Sequence, residues 1–265
     1  GLYGNALDNV FTASAGTDII DGRDGSDSYD ASASTEDMSA DLSTGTVSAG
    51  ASSATLISIE NIATGAGNDT VTGSAGANRI ETGAGDDSIT ATAGADTIDA
   101  GDGLDVVSYD SAVTIAQSAT SGAWAITAGA DEQTVSHVEI VTDTAGRTLL
   151  VGNGGFATIQ DALDEAQAGD TILIAEGTYA GGFTIATEGL TLKAVGDVVI
   201  EGNFRQNNGI AEGASVAEWL QGVAAYAGGE YAAITIAADD VTLKGWRSPT
   251  STWGSRCRPA STIWR

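Results

Sequence analysis

The sequence predicts an all-β protein, a solenoid of short stacked strands. Three observations predict it. Residues 64–108 divide without a gap into nines that keep one glycine and one apolar place, residues 4–30 divide the same way, and ITIAADDVTLKG (234–245) echoes FTIATEGLTLKA (183–194). Self-similarity at a short fixed period marks stacked coils, in which no single unit can bury its apolar face alone.

The first element, residues 4–30, reads GNALDNVFT, ASAGTDIID, GRDGSDSYD. Its sixth places hold Asn9, Asp18 and Asp27, and its eighth places Phe11, Ile20 and Tyr29. The second element, residues 64–108, reads TGAGNDTVT, GSAGANRIE, TGAGDDSIT, ATAGADTID, AGDGLDVVS. Here the fourth place is Gly67, Gly76, Gly85, Gly94 and Gly103, and the sixth is Asp69, Asn78, Asp87, Asp96 and Asp105. The eighth is Val71, Ile80, Ile89, Ile98 and Val107. Glycine permits positive φ and close backbone approach, so the first half of each nonad is a turn. The second half is a short strand whose eighth side chain points inward, each burial contributing roughly 1.5–3 kcal/mol. The sixth-place carboxylates then stack along an edge. Two unit charges about 4 Å apart repel by about 4 kcal/mol at an effective dielectric of about 20.

The composition sharpens this conflict. The net charge is −26 with only ten Lys and Arg, which excludes nucleic acid as a partner, since phosphate binding needs clustered basic residues. A hydrophobic content of 42% argues for a buried core, so something must neutralise the carboxylates, and a divalent cation is the simplest candidate. The single Cys257 excludes an internal disulfide framework. No apolar run approaches the ~20 residues of a membrane-spanning helix, so no membrane insertion is expected. The sequence opens without an initiator Met or a signal peptide and is expected to begin inside a larger protein.

The nonads resemble the pattern G-G-x-G-x-D-x-U-x of the RTX (hemolysin-type) repeats found in bacterial proteins exported by type I secretion. The resemblance covers residues 4–30 and 64–108, with 31–63 and 109–148 as β spacers. It implies a parallel β-roll that binds Ca²⁺, two nonads per coil, with ions between nonads i and i+2. Carried over, Asp69, Asp87 and Asp105 line one edge and Asn78 and Asp96 the other; in the first array Asn9 faces Asp27, with Asp18 opposite. Turn carbonyls, at Gly67, Gly85 and Gly103 among others, would complete the six to eight oxygens that Ca²⁺ takes. Asn9 and Asn78 depart from the pattern, so weak or empty sites are expected there.

From Arg147 the character changes. Thr158 is placed to cap a helix with Asp161 at its third position, and Ile159, Ala162, Leu163 and Ala166 form one apolar stripe ending at Gly169–Asp170. Strands are predicted at 171–175, 183–185, 190–193 and 198–200. Glu176 and Tyr179 are expected in the turn after the first, Trp124 in the core, and the lone His137 as a partnerless strand residue. FATIQDALDEAQAGDTILIAEGTY resembles the start of pectate-lyase-like and mannuronan-epimerase-like right-handed parallel β-helices, in which an amphipathic helix caps the solenoid. That resemblance spans 149–246 apart from an insert, 204–230, whose Trp219 and Tyr226 are candidates for packing or for stacking on sugar, and it implies extracellular polysaccharide as a partner. The catalytic coils of such enzymes come later, so no catalytic residue is assigned and no activity is expected of this chain. The stretch 247–265, RSPTSTWGSRCRPASTIWR, carries both prolines and no coil pattern, and it reads as non-native sequence. An uncapped coil before it would offer an edge for self-association.

The expected protein is a calcium-binding parallel β-roll joined to a short parallel β-helix. Two functions compete: a secreted structural or adhesive module, and a fragment of a polysaccharide lyase or epimerase that uses the repeats for folding.

Overall fold

In residues 64–108 a strand only three residues long forms at each eighth-place Val or Ile, because each is held in register by a parallel neighbour one coil away. The computed structural model describes residues 1–118, 122–201, 234–236 and 241–244. The insert at 204–230 and the tail at 247–265 lie outside the described residues. The chain divides into two units, Gly1–Arg147 with Asn153–Gly155, and Thr148–Gly152 with the residues from Phe156 onward.

Two sheets build the first unit. One runs in the spatial order Leu2–Tyr3, Thr17–Asp21, Ser52–Ile57, Thr46–Ala49, Met38–Asp41, Thr70–Thr72, Ser88–Thr90, Val106–Ser108, Ile140–Asp143. The other runs Val10–Thr12, Ser28–Asp30, Asn61–Ala63, Arg79–Glu81, Thr97–Asp99, Asp131–Ser136, Trp124–Ala128, Val113–Gln117. Successive nonads alternate between the sheets, so each coil takes two. Val71, Ile89, Val107 and Val141 stack in register inside the first sheet, and Ile62, Ile80, Ile98 and Val135 inside the second. All eight are buried. This is an all-β parallel β-roll.

The turns stack as closely as the strands. A Cβ on Gly101 (φ 96°) or Gly103 would overlap the carbonyl oxygen of Gly83 or Gly85, one coil earlier. Gly67 has no such positive φ; a Cβ there would meet the backbone of Glu36 and Asp37.

Each spacer is a three-stranded antiparallel meander set into the roll. Met38–Asp41, Thr46–Ala49 and Ser52–Ile57 form the first, and Val113–Gln117, Trp124–Ala128 and Asp131–Ser136 the second. Their inward alternation supplies Met38, Ala40, Val47, Trp124, Ile126 and Val135 to the core. His137 is not a strand residue; it takes φ 51° between strands and its Nδ1 lies 2.6 Å from Asp99 Oδ1, a partner the sequence did not reveal.

In the second unit Thr148–Val151, Thr171–Ile174 and Thr191–Ala194 stack in parallel, and Thr191–Lys193 pairs with Thr242–Lys244. Phe183–Ile185 pairs with Ile234–Ile236, so the two echoing segments are stacked coils. The helix Ile159–Glu165 carries the full capping box of Thr158 and Asp161 and buries Ile159, Ala162 and Leu163. It ends before Gly169, since Ala166 is already extended and Asp170 draws the Gln167 N–H onto its carboxylate at 2.8 Å. Glu176 and Tyr179 lie inside the continuous strand Thr171–Ala180, not in a turn, because a bulge between Ala175 and Gly177 absorbs the irregularity.

Candidate metal sites

The sixth-place side chains form two ladders, one along each edge of the roll. Asp69 N–H donates to Asp87 Oδ1 (2.7 Å), and Asp87 N–H to Asp105 Oδ1 (2.8 Å). On the other edge Asn9 N–H donates to Asp27 Oδ1 (2.7 Å), and Asn78 N–H to Asp96 Oδ1 (2.9 Å). Each carboxylate thus reaches back 18 residues to the sixth-place amide of the preceding coil. The edges are populated as the sequence predicts, with Asp18 on the first sheet, opposite Asn9 and Asp27.

Apart from the half-buried Asn9 and Asp18 these groups are buried, with Asp27 and Asp105 at 0% exposure. In Asp27, Asp87, Asp96 and Asp105 one oxygen is committed to that amide, and in Asp69 to the Met38 N–H (2.8 Å). The second differs from site to site. Asp27 Oδ2, Asp87 Oδ2 and Asp105 Oδ2 are buried with no hydrogen-bond partner; the Thr82 hydroxyl near Asp87 is committed to the Ala100 carbonyl. Asp69 Oδ2 has only a long contact from Gly65 N–H (3.3 Å), and Asp18 Oδ2 accepts from Ser14 Oγ. On the Asn78 edge the arrangement is closed by amides. Asn78 Nδ2 donates to the Glu60 carbonyl (2.7 Å), and Gln133 Nε2 donates to Asp96 Oδ2 (3.0 Å). Gln133 is itself fully buried and held by the Tyr109 hydroxyl.

Burial is the main cause of the pKa shifts. It pushes Asp105 up to about 7, with the nearby charges of Asp87 and Glu139 adding to the rise and the Asp87 N–H opposing it. Asp96 is pushed up to about 6 by burial, with the Asp131 charge contributing. Asp87 and Glu139 are also raised, again chiefly by burial. In an apolar setting a buried acceptor without a donor, and a carboxylate that resists ionisation, are relieved by a cation or a proton.

The residues present fit Ca²⁺. Among the described residues no three His, Cys, Asp or Glu side chains converge on one point, so any ion must take most of its ligands from backbone carbonyls. The turns supply these: the Gly67 and Gly85 carbonyls each face the glycine one coil on. A hard, oxygen-seeking cation with flexible geometry suits such a ligand set. A family model of the RTX calcium-binding nonapeptide repeat, four copies, matches residues 3–33, 58–89 and 81–111. These stretches carry the RTX repeat, a calcium-binding motif. They make up less than half of the chain. No curated protein matches it.

Three features escaped the sequence. Glu60 and Glu139 join the ladders from the spacers: Asp27 N–H donates to Glu60 Oε2 (2.8 Å) and Asp105 N–H to Glu139 Oε2 (2.9 Å). Asp27 therefore faces a carboxylate as well as Asn9. Gln133, also in a spacer, fills a sixth place. A fifth-place ladder braces the first edge in the opposite direction, since Asp86 N–H donates to Asn68 Oδ1 and Leu104 N–H to Asp86 Oδ1. The adjacent acids Asp86 and Asp87 thus hold different coils. Alternation of Asn or Asp at the fifth place was the available signal for that ladder.

Proposed function

We propose that the chain is a calcium-dependent folding module of a secreted bacterial protein, its ions held along the roll edges by Asp18, Asp27, Asp69, Asp87 and Asp105 with turn carbonyls. The observation that carries this reading is the set of orphaned, buried Oδ2 atoms at Asp27, Asp87 and Asp105. A bound cation would satisfy those oxygens and offset the desolvation that raises Asp87 and Asp105. Extracellular calcium is abundant enough to saturate sites with a Kd on the order of 10⁻⁴–10⁻³ M, so the module would fold after export. Circular dichroism of chelator-treated protein, followed by calcium addition, tests this. A gain of β signal and melting temperature is expected, and an unchanged spectrum and melt would overturn the reading.

The stacked coils of the second unit support a further role, since the pairing of Phe183–Ile185 with Ile234–Ile236 is what the resemblance to polysaccharide-active β-helices leads one to expect. In that reading the parent protein acts on, or adheres to, an extracellular polysaccharide. Affinity electrophoresis through alginate and pectate gels, with calcium present, would retard the chain; unretarded migration in every gel would count against it.

A further inference from the structure

Both spacers return to the roll by the same turn. The last meander strand closes on the preceding coil, with Gly22 N–H donating to the Ile57 carbonyl (2.9 Å) in one and Ala100 N–H to the Ser136 carbonyl (3.2 Å) in the other. The next residue is left-handed in each case, Ser58 at φ 52° and His137 at φ 51°. Such a conformation is uncommon away from glycine and persists only where the surroundings enforce it. A buried Ile59 or Val138 follows, then Glu60 or Glu139, then the next roll strand.

The backbone puts these glutamates in the sixth place. Where one nonad stacks on another, the residue after the sixth place donates its N–H to the sixth-place carbonyl one coil earlier, as Ser28 does to Asn9 (2.8 Å), Ser88 to Asp69 (2.8 Å), Thr97 to Asn78 (2.8 Å) and Val106 to Asp87 (2.9 Å). Asn61 donates to Asp27 (2.9 Å) and Ile140 to Asp105 (3.0 Å) in the same way. The Glu side chains also perform the sixth-place task of accepting the previous sixth-place N–H, across separations of 33 and 34 residues in place of 18.

Beside each of these rungs lies an orphaned atom of the kind also found at Asp87, inside the second array. Asp27 and Asp105 are the last sixth-place carboxylates before each spacer, both are fully buried, and both leave Oδ2 without a donor. At the first spacer a Cβ on Gly22 would overlap both Asp27 Oδ2 and the Ser58 carbonyl, so those two oxygens open onto one place. The left-handed turn is what aims that carbonyl there. We propose that Glu60 and Glu139 are metal ligands, each completing a Ca²⁺ site with the orphaned carboxylate of Asp27 or Asp105 and the carbonyl of the left-handed residue. The ion arrays then continue across the spacers instead of stopping at the last nonad. This rests on the calcium reading above.

The test is isothermal titration of the full chain with CaCl₂, comparing wild type with E60Q, E139Q and, as a control, E132Q, whose side chain is exposed and outside the ladders. Glutamine keeps an acceptor for the Asp27 or Asp105 N–H and removes only the charge. Each single variant should lose one ion from the wild-type number, the two variants in different arrays, with E132Q unchanged. Because each variant leaves the other array intact, its retained uptake and calcium-loaded circular dichroism report folding independently of the lost site. Full wild-type stoichiometry in both E60Q and E139Q would overturn this inference alone. No uptake by wild type would overturn the calcium reading with it.

Discussion

Removing the charge at Asp105 should separate the cost of the empty site from the benefit of filling it. The folded chain holds Asp105 near a pKa of about 7 against an unfolded value of 3.8. Between those values the folded state binds more protons than the unfolded state, so calcium-free stability is highest at acid pH and is lost as pH rises towards 7. The shift is roughly three units at about 1.4 kcal/mol each. The polarisable surroundings respond to the charge even at a buried site, leaving about 2–3 kcal/mol. General repulsion in a chain of net charge −26 acts in the same direction, which is why the variant is needed. Asp105→Asn keeps Oδ1 for the Asp87 N–H and cannot ionise. Thermal melts of both proteins in chelator-treated buffer, from about pH 5 to about pH 8, should show wild type losing about 1–2 kcal/mol more than the variant, the part of the loss that falls above pH 5. Saturating calcium should reverse the order at about pH 8, since an ion at 100 times its Kd contributes about 2.7 kcal/mol. A variant with the wild-type pH slope would refute the assignment of that slope to Asp105.

The amide-closed edge should open on command: Asn78→Asp replaces a donor to the Glu60 carbonyl with an acceptor, lowering calcium-free stability by about 1–3 kcal/mol and adding one ion to the calorimetric stoichiometry. Gly101→Ala should destabilise the roll by about 2–4 kcal/mol in denaturant melts, because its Cβ would overlap the Gly83 carbonyl at a positive φ. Trp124→Ala, which empties a fully buried place in the second meander, should cost about 3–5 kcal/mol with the nonad strands still protected in hydrogen exchange. Thr158→Ala should cost the second unit about 1 kcal/mol through its capping box, leaving calcium uptake unaltered.

The period of nine makes the core and both edges legible in the sequence. An eighth-place Ile can only be buried by stacking, and stacking fixes which sixth places share an edge. What the period could not carry is anything that breaks its phase. Glu60 and Glu139 sit 33 and 34 residues beyond the carboxylates they continue, and a count in nines passes over them. Gln133 is hidden for the same reason, inside a meander whose alternation of two is a different rule. His137 looked like a strand residue because its left-handed turn has no glycine to announce it. Tyr179 looked like a turn residue because the glycine before it marks a bulge, not a break.

The two edges of the second array also show why composition alone overstates the demand for cations. Asp96 and Asp105 occupy the same place in the repeat and are both raised by burial. Yet Asp96 has both oxygens satisfied, by the Asn78 N–H and by Gln133 Nε2, while Asp105 has one oxygen facing no donor. A side-chain amide delivers a hydrogen bond without a charge, so it steadies that edge whether or not calcium is present. A carboxylate pair can be steadied only by a cation or a proton. With Asn78 and Gln133 on one edge and Asp87, Asp105 and Glu139 on the other, the Asn78 edge of the second array has its turns tied in the calcium-free chain. The opposite edge waits for the ion. Folding of the second array should therefore start from the Asn78 edge and be completed by calcium on the Asp87 edge.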